Sequence, residues 1–235
     1  KPAAKKAVED ALADKIKAID ANNDLTAEEK AAAKQEAQDK ATAAKQAIDN
    51  ATTNAGVDQA KANGTTEVNN VNPTPVAKPA AKKAIDDALK AKNDAIDANN
   101  DLTDEEKTAA KADAKAKADA AKTAIDNATT NAAVEQAKND GATSVDSVNP
   151  QPEAKTAAKK AVEDALADKI KAIDANNDLT DEEKTAAKEE TKAKADAAKQ
   201  AIDNATTNAG VDQAKANGTT EVNNVNPTPV AKPAA

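Results

Sequence analysis

The 235-residue chain contains no cysteine, histidine, methionine or aromatic residue. Without cysteine it can form no disulfide, thiolate metal site or thiol nucleophile. Without histidine it lacks the usual general base and the commonest transition-metal ligand. All 33 basic residues are lysine, set against 41 acidic residues for a formal charge of −8. Nucleic-acid binding needs a basic face and usually stacking aromatics, so it is excluded here. A polybasic membrane-surface role fails for the same reason. No apolar run is long enough to span a membrane, and no targeting segment is visible. The missing methionine makes a fragment or processed region of a longer product the expectation. Only carboxylates, lysines and hydroxyls remain for catalysis, and nothing marks a pocket, so no enzyme and no cofactor are expected.

Large aliphatics are also scarce, with 28 Leu, Ile and Val residues in all. Such scarcity can signal disorder. Here it is countered by abundant Ala, Lys and Glu, which lose little entropy in a helix. The few large residues also recur in register. Ala18-Ile19-Asp20-Ala21-Asn22-Asn23-Asp24-Leu25-Thr26 appears three times, with Leu25, Leu102 and Leu179 separated by 102 − 25 = 179 − 102 = 77 residues. The chain is therefore read as three tandem copies of one unit.

Each copy predicts three helices. The first runs from about Pro2 to Asn22, with proline in a first turn where a missing N–H costs nothing. Val8, Leu12, Ile16 and Ile19 form its apolar stripe, matched by Val162, Leu166, Ile170 and Ile173. The middle copy reads Ile85, Leu89, Asn93, Ile96, so one core-facing position is polar. With 11 Lys against 15 acids over residues 78–154, or −4, that copy also carries the largest net charge. It is expected to be the least stable.

A corner follows. Thr26 with Glu29, Thr103 with Glu106, and Thr180 with Glu183 form Thr-x-x-Glu capping boxes. Asp20, Asn22 and Asp24 also occupy calcium-loop positions. The glycine and the terminal glutamate of such a loop are replaced by Leu25 and Ala31, so a capped helix corner is the better reading and no metal is expected. The second helix spans about Ala27 to Ala51, with an inward stripe of mostly alanine: Ala33, Ala37, Ala41, Ala44, Ile48 and Ala51. The third carries Val57, Ala60, Gly64, Val68 and Val71. Gly64, Gly141 and Gly218 mark either close helix contact or a break in this helix.

Pro73 and Pro75, Pro150 and Pro152, and Pro227 and Pro229 end each copy in a Pro-x-Pro connector, expected to be extended and semi-rigid. The expected division is 1–72, 79–149 and 156–226 as helical repeats. Residues 73–78 and 150–155 are then linkers, and 227–235 a linker with the start of another repeat. Ala43–Ala81 recurs identically as Ala197–Ala235, which suggests an array continuing beyond both ends.

The run Ala-Ile-Asp-Asn-Ala-Thr-Thr-Asn-Ala stands at 47–55, 124–132 and 201–209. Together with Asp24-Leu25-Thr26-x-Glu28-Glu29-Lys30 and Val57-Asp58-Gln59-Ala60-Lys61, it resembles a helical tandem repeat of unnamed function. That repeat occurs in large cell-wall-anchored, biofilm-associated surface proteins of staphylococci, streptococci and lactobacilli, including the giant extracellular-matrix-binding type. The resemblance implies an extracellular stalk of helical bundles, with export signal and wall anchor elsewhere in the parent protein. Matrix or fibronectin binding is associated with some relatives, but no residue-level site carries over. The Pro-x-Pro connector departs from a continuous helix between repeats.

The expected fold is thus all-α: three tandem three-helix bundles in an elongated rod of roughly 100–130 Å at 1.5 Å per helical residue. The first functional reading is a structural stalk that projects an adhesive domain from the wall, as a monomer. The alternative is a weak, avidity-based binder of a host protein such as fibronectin or albumin. Interface hot spots favour Trp, Tyr and Arg, which this chain lacks, so the stalk is preferred.

Overall fold

The computed structural model describes residues 1–231. Residues 232–235, within the segment expected to begin a further repeat, lie outside the described residues. Among the described residues there are nine helices and no strand: α1 (Pro2–Asp20), α2 (Ala27–Asn50), α3 (Asn54–Asn69), α4 (Ala77–Asp97), α5 (Asp104–Asn127), α6 (Asn131–Asp146), α7 (Glu153–Asp174), α8 (Asp181–Asn204) and α9 (Asn208–Asn223). Each repeat supplies three, giving three tandem three-helix bundles. α4 and α7 begin at Ala77 and Glu153, inside the segments expected as linkers.

Local chemistry sets most of these ends. The second helix of a repeat starts at a threonine cap, described below. α3, α6 and α9 start where Thr53, Thr130 and Thr207 accept hydrogen bonds from Gly56, Ala133 and Gly210 N–H groups. α1 stops at Asp20 rather than Asn22, because the Asn22 side chain accepts from Asp24 N–H at 3.1 Å and turns the chain. The third helix of a repeat does not break at its glycine. α3, α6 and α9 run unbroken through buried Gly64, Gly141 and Gly218.

The chain divides into two compact units. The first comprises Lys1–Leu89 with Lys115–Ser147, and the second Lys90–Ala114 with the described residues from Val148 to Ala231. In the first unit α1, α2 and α3 pack pairwise on one another. Ala4, Val8, Ala41, Ala44, Ile48 and Val68 fill one half of this bundle. Ile19, Leu25, Ala33, Ala37 and Val71 fill the other. The corner residue Leu25 is thus a plug that closes the end of the core. The same unit holds a cluster of Ala81, Ile85, Ala118, Ala121, Ile125, Val134 and Val145.

In the second unit α7, α8 and α9 pack likewise. Their cores are Ala158, Val162, Ala195, Ala198, Ile202, Val211 and Val222, then Ile173, Leu179 and Ala187. Thr191 stands in α8 where the other repeats have Ala37 and Ala114, and it is fully buried. Its hydroxyl donates to the Ala187 carbonyl at 2.7 Å, which satisfies it without leaving the helix.

The stripe of α1 is only partly core. Val8 and Ile19 are buried, whereas Leu12 and Ile16 are half-buried at the bundle rim. Ile170 and Asn93 hold the same half-buried position in α7 and α4. The facing helices carry alanine and glycine, so the core is narrow and long side chains overhang its edge. Recurring ion pairs bind the exposed faces, such as Lys5–Asp49, Lys82–Asp126 and Lys159–Asp203 at 2.8–2.9 Å. Exposed pairs of this kind add little each.

Candidate functional site

The capping boxes have the expected local geometry and also reach further. In the first unit, Glu29 N–H donates to Thr26 Oγ1 at 3.3 Å, and Thr26 N–H donates to Glu29 Oε1 at 2.9 Å. The second oxygen of Glu29 faces the next repeat. It accepts from the N–H groups of Val76 at 2.9 Å and Ala77 at 3.1 Å, where α4 begins. One carboxylate therefore caps two helices belonging to successive repeats.

Four further hydrogen bonds join the same surfaces. Ala27 N–H donates to the Thr129 carbonyl at 2.7 Å. Asn131 N–H, at the start of α6, donates to the Glu28 carboxylate at 3.1 Å. Lys78, in the first turn of α4 and only 4% exposed, donates to two backbone carbonyls. These are Asn23 O at 2.8 Å, in the corner of the preceding repeat, and Asp126 O at 2.7 Å, at the end of α5. A buried ammonium is costly unless its hydrogens find acceptors, and here the frayed carbonyls of a corner and a helix C-terminus provide them.

The second unit repeats this joint. Glu106 receives Thr103 N–H at 2.9 Å on one oxygen and Ala154 N–H at 3.1 Å on the other. Asp104 N–H donates to Thr206 O at 2.7 Å, and Asn208 N–H to Glu105 at 3.1 Å. Lys155, 3% exposed, donates to Asn100 O and Asp203 O, each at 2.7 Å. Glu183 completes the pattern: it boxes with Thr180 and accepts from Val230 and Ala231 N–H groups at 2.9 and 3.2 Å. Asn23, Lys78, Asp126 and Thr129 line a cleft of about 330 Å³ at the first joint, and Asn100, Lys155, Asp203 and Thr206 one of about 260 Å³ at the second.

These bonds hold the carboxylates ionised. Burial pushes Glu29 and Glu106 up, but the N–H groups around them outweigh it and leave both below the usual range. For Glu183 the N–H groups of Thr180, Val230 and Ala231 bring the carboxyl down to about 2.

Of the residues singled out in the sequence, the structure brings each threonine and glutamate of a capping box together. Pro73, Pro75, Pro150, Pro152, Pro227 and Pro229 lie in the non-helical segments that follow α3, α6 and α9, with Pro152 immediately preceding α7. The joint residues Glu28, Lys78, Glu105 and Lys155 were not anticipated. A signal existed: lysine recurs at 1, 78, 155 and 232, and glutamate at 28, 105 and 182. Lys1 makes half of the clamp, donating to Asp49 O at 2.6 Å.

The calcium-like stretch is a helix corner. Asp20 pairs with Lys34 at 2.8 Å, and Leu25 is buried. Among the described residues no group of three or more acidic side chains is placed to hold a metal. None of the described helices is long and apolar enough to cross a membrane.

The model of the family described as Domain of Unknown Function (DUF1542) matches residues 1–76, 77–153 and 154–230, and the chain belongs to this family. It is similar to the Extracellular matrix-binding protein ebh of Staphylococcus aureus strain MW2, 33% identical over 211 residues. That alignment covers 89% of this chain and 2% of the relative. The protein of the same name from strain USA300 / TCH1516 matches equally, at 33% over 211 residues. Extracellular matrix-binding protein EbhA of strain Newman is 33% identical over 201 residues, or 86% of this chain and 6% of the relative. The chain thus spans a small fraction of the length of these relatives. No solved structure matches it significantly.

Proposed function

We propose that the three DUF1542 repeats are a structural spacer in a bacterial cell-surface adhesin, part of an extracellular, cell-wall-anchored stalk that holds a functional domain away from the wall. The observation that carries this reading is the joint. In each unit, a carboxylate at the corner of one repeat caps the first helix of the next, and a buried lysine binds both. A chain whose successive domains are tied directly to each other transmits position and load better than beads on loose linkers. The chain acts as a monomer and without catalysis, and its relatives are named for matrix binding rather than for an enzymatic activity. The test is to display a reporter domain on cells above increasing numbers of these repeats. Its height above the wall should rise in proportion to repeat number; a height independent of repeat number overturns the reading.

The name of the relatives favours a second reading: a weak binder of a host matrix or serum protein, effective only through many copies. Titrating immobilised fibronectin and albumin with this chain, and with chains of more repeats, separates the two. Binding that strengthens steeply with repeat number supports the second reading.

A further inference from the structure

We propose that the joint between repeats is a lock with two states: closed, as in the structure, and open, with both neighbouring bundles intact and the Pro-x-Pro connector acting as a hinge. This rests on the spacer reading and adds how such a spacer yields.

The joint and the bundles are held by different physics. Each hydrophobic cluster described draws its buried residues from a single repeat: Ala4–Val68 and Ile19–Val71 from the first, Ala81–Val145 from the second, Ala158–Val222 and Ile173–Ala187 from the third. What crosses the joint of the first unit is polar: Ala27 to Thr129, Glu28 to Asn131, Glu29 to Val76 and Ala77, and Lys78 to Asn23 and Asp126. Apolar cores lose their whole transfer free energy when opened. Polar contacts exchange partners with water and lose little net.

Lys78 sharpens the difference. In the closed state its ammonium is stripped of water, and two carbonyls replace its hydration. Opening restores that hydration, so the desolvation cost of the closed lock is recovered. The Glu29 carboxylate likewise keeps its own helix cap when Val76 and Ala77 depart, because that cap uses its other oxygen. Opening therefore leaves α2 capped and the core of the first repeat untouched. Pro73 and Pro75 stand between α3 and α4, where proline limits the connector to a few extended conformations. The open state is a hinge of restricted travel. The same parts recur in the second unit with Glu106, Lys155 and Pro150–Pro152.

Glu29→Gln separates the two duties of the residue. Glutamine is accepted in a capping box, yet its amide nitrogen would oppose the Val76 and Ala77 donors. The chain has no native cysteine, so spin labels can be placed at Gln38→Cys and Ala116→Cys, both exposed and both in the first unit. Pulsed dipolar spectroscopy of the full chain should give one narrow distance peak. Glu29→Gln should lose that peak to a broad distribution while helical content and the cooperative melt persist, and Lys78→Met should do the same. A broad distribution in the unsubstituted chain overturns the lock, as does a narrow peak that survives both substitutions, or loss of helicity together with the peak. None of these outcomes bears on whether reporter height scales with repeat number, so the lock and the spacer reading fail separately.

Discussion

Glu29 accepts a hydrogen bond from the Ala77 backbone N–H at 3.1 Å, across 48 residues of sequence. The pairing converts a local helix-start signal into a contact between domains. Its most direct consequence is a dependence on pH.

The carboxyls of Glu29, Glu106 and Glu183 are depressed when folded, the last to about 2 against 4.5 for the free group. A depressed carboxyl contributes stability that is complete above its unfolded pKa and disappears as pH falls through its folded one. The melting temperature should hold steady above about pH 4.5 and fall between there and about pH 2. Asp49, Asp119 and Asp196, held down chiefly by hydrogen bonds from Lys5, Lys115 and Lys192, add to the lower part of that window. Replacing all three glutamates with glutamine should flatten the upper part, as read by circular dichroism melts across the range.

Gly64 faces α2 so closely that a Cβ built on it falls inside van der Waals contact with the Ala44 Cβ, and Gly141 and Gly218 meet Ala121 and Ala198 in the same way. On an exposed helix face Gly→Ala stabilises by about 1 kcal/mol. Here overpacking at about 1–3 kcal/mol should win, so Gly64→Ala lowers stability. Adding Ala44→Gly should recover part of the loss, and a double-mutant cycle from denaturant unfolding checks it.

Asn93 Oδ1 is buried and accepts no hydrogen bond among the described residues. An unsatisfied buried acceptor costs about 1–3 kcal/mol. Asn93→Ile should therefore slow amide exchange across the middle repeat in the full chain, bringing it level with its neighbours. The gain should be modest, because the matching Ile16 and Ile170 are only half-buried. Exchange rates left unchanged would mean that Asn93 does not weaken the repeat.

Each bundle has a thin core and mostly local contacts, and low contact order favours fast folding. Stretching the chain in an optical trap should give up to three low-force unfolding steps, with recovery in under about a second once tension is released. High-force resistance or failure to refold would contradict this.

The sequence by itself determined the helices and where most of them start and stop. Thr26 followed by Glu29 caps a helix, Pro73 keeps α3 from continuing beyond its end at Asn69, and the spacing of Val8 and Ile19 picks the inward face. These signals act within a turn or two of the residues that carry them, so they can be read without the fold. Only the tertiary structure decided what lies beyond that range. It settled that Gly64 is a close approach rather than a break, because the answer depends on Ala44 on another helix. It placed Leu12 and Ile16 at the rim, because the width of the core is set by the facing alanines. It turned Lys78, which reads as one surface lysine among 33, into a buried clamp. A lysine's partners here are backbone carbonyls, which every residue carries and no sequence pattern marks; only folding brings Asn23 O and Asp126 O to the same ammonium.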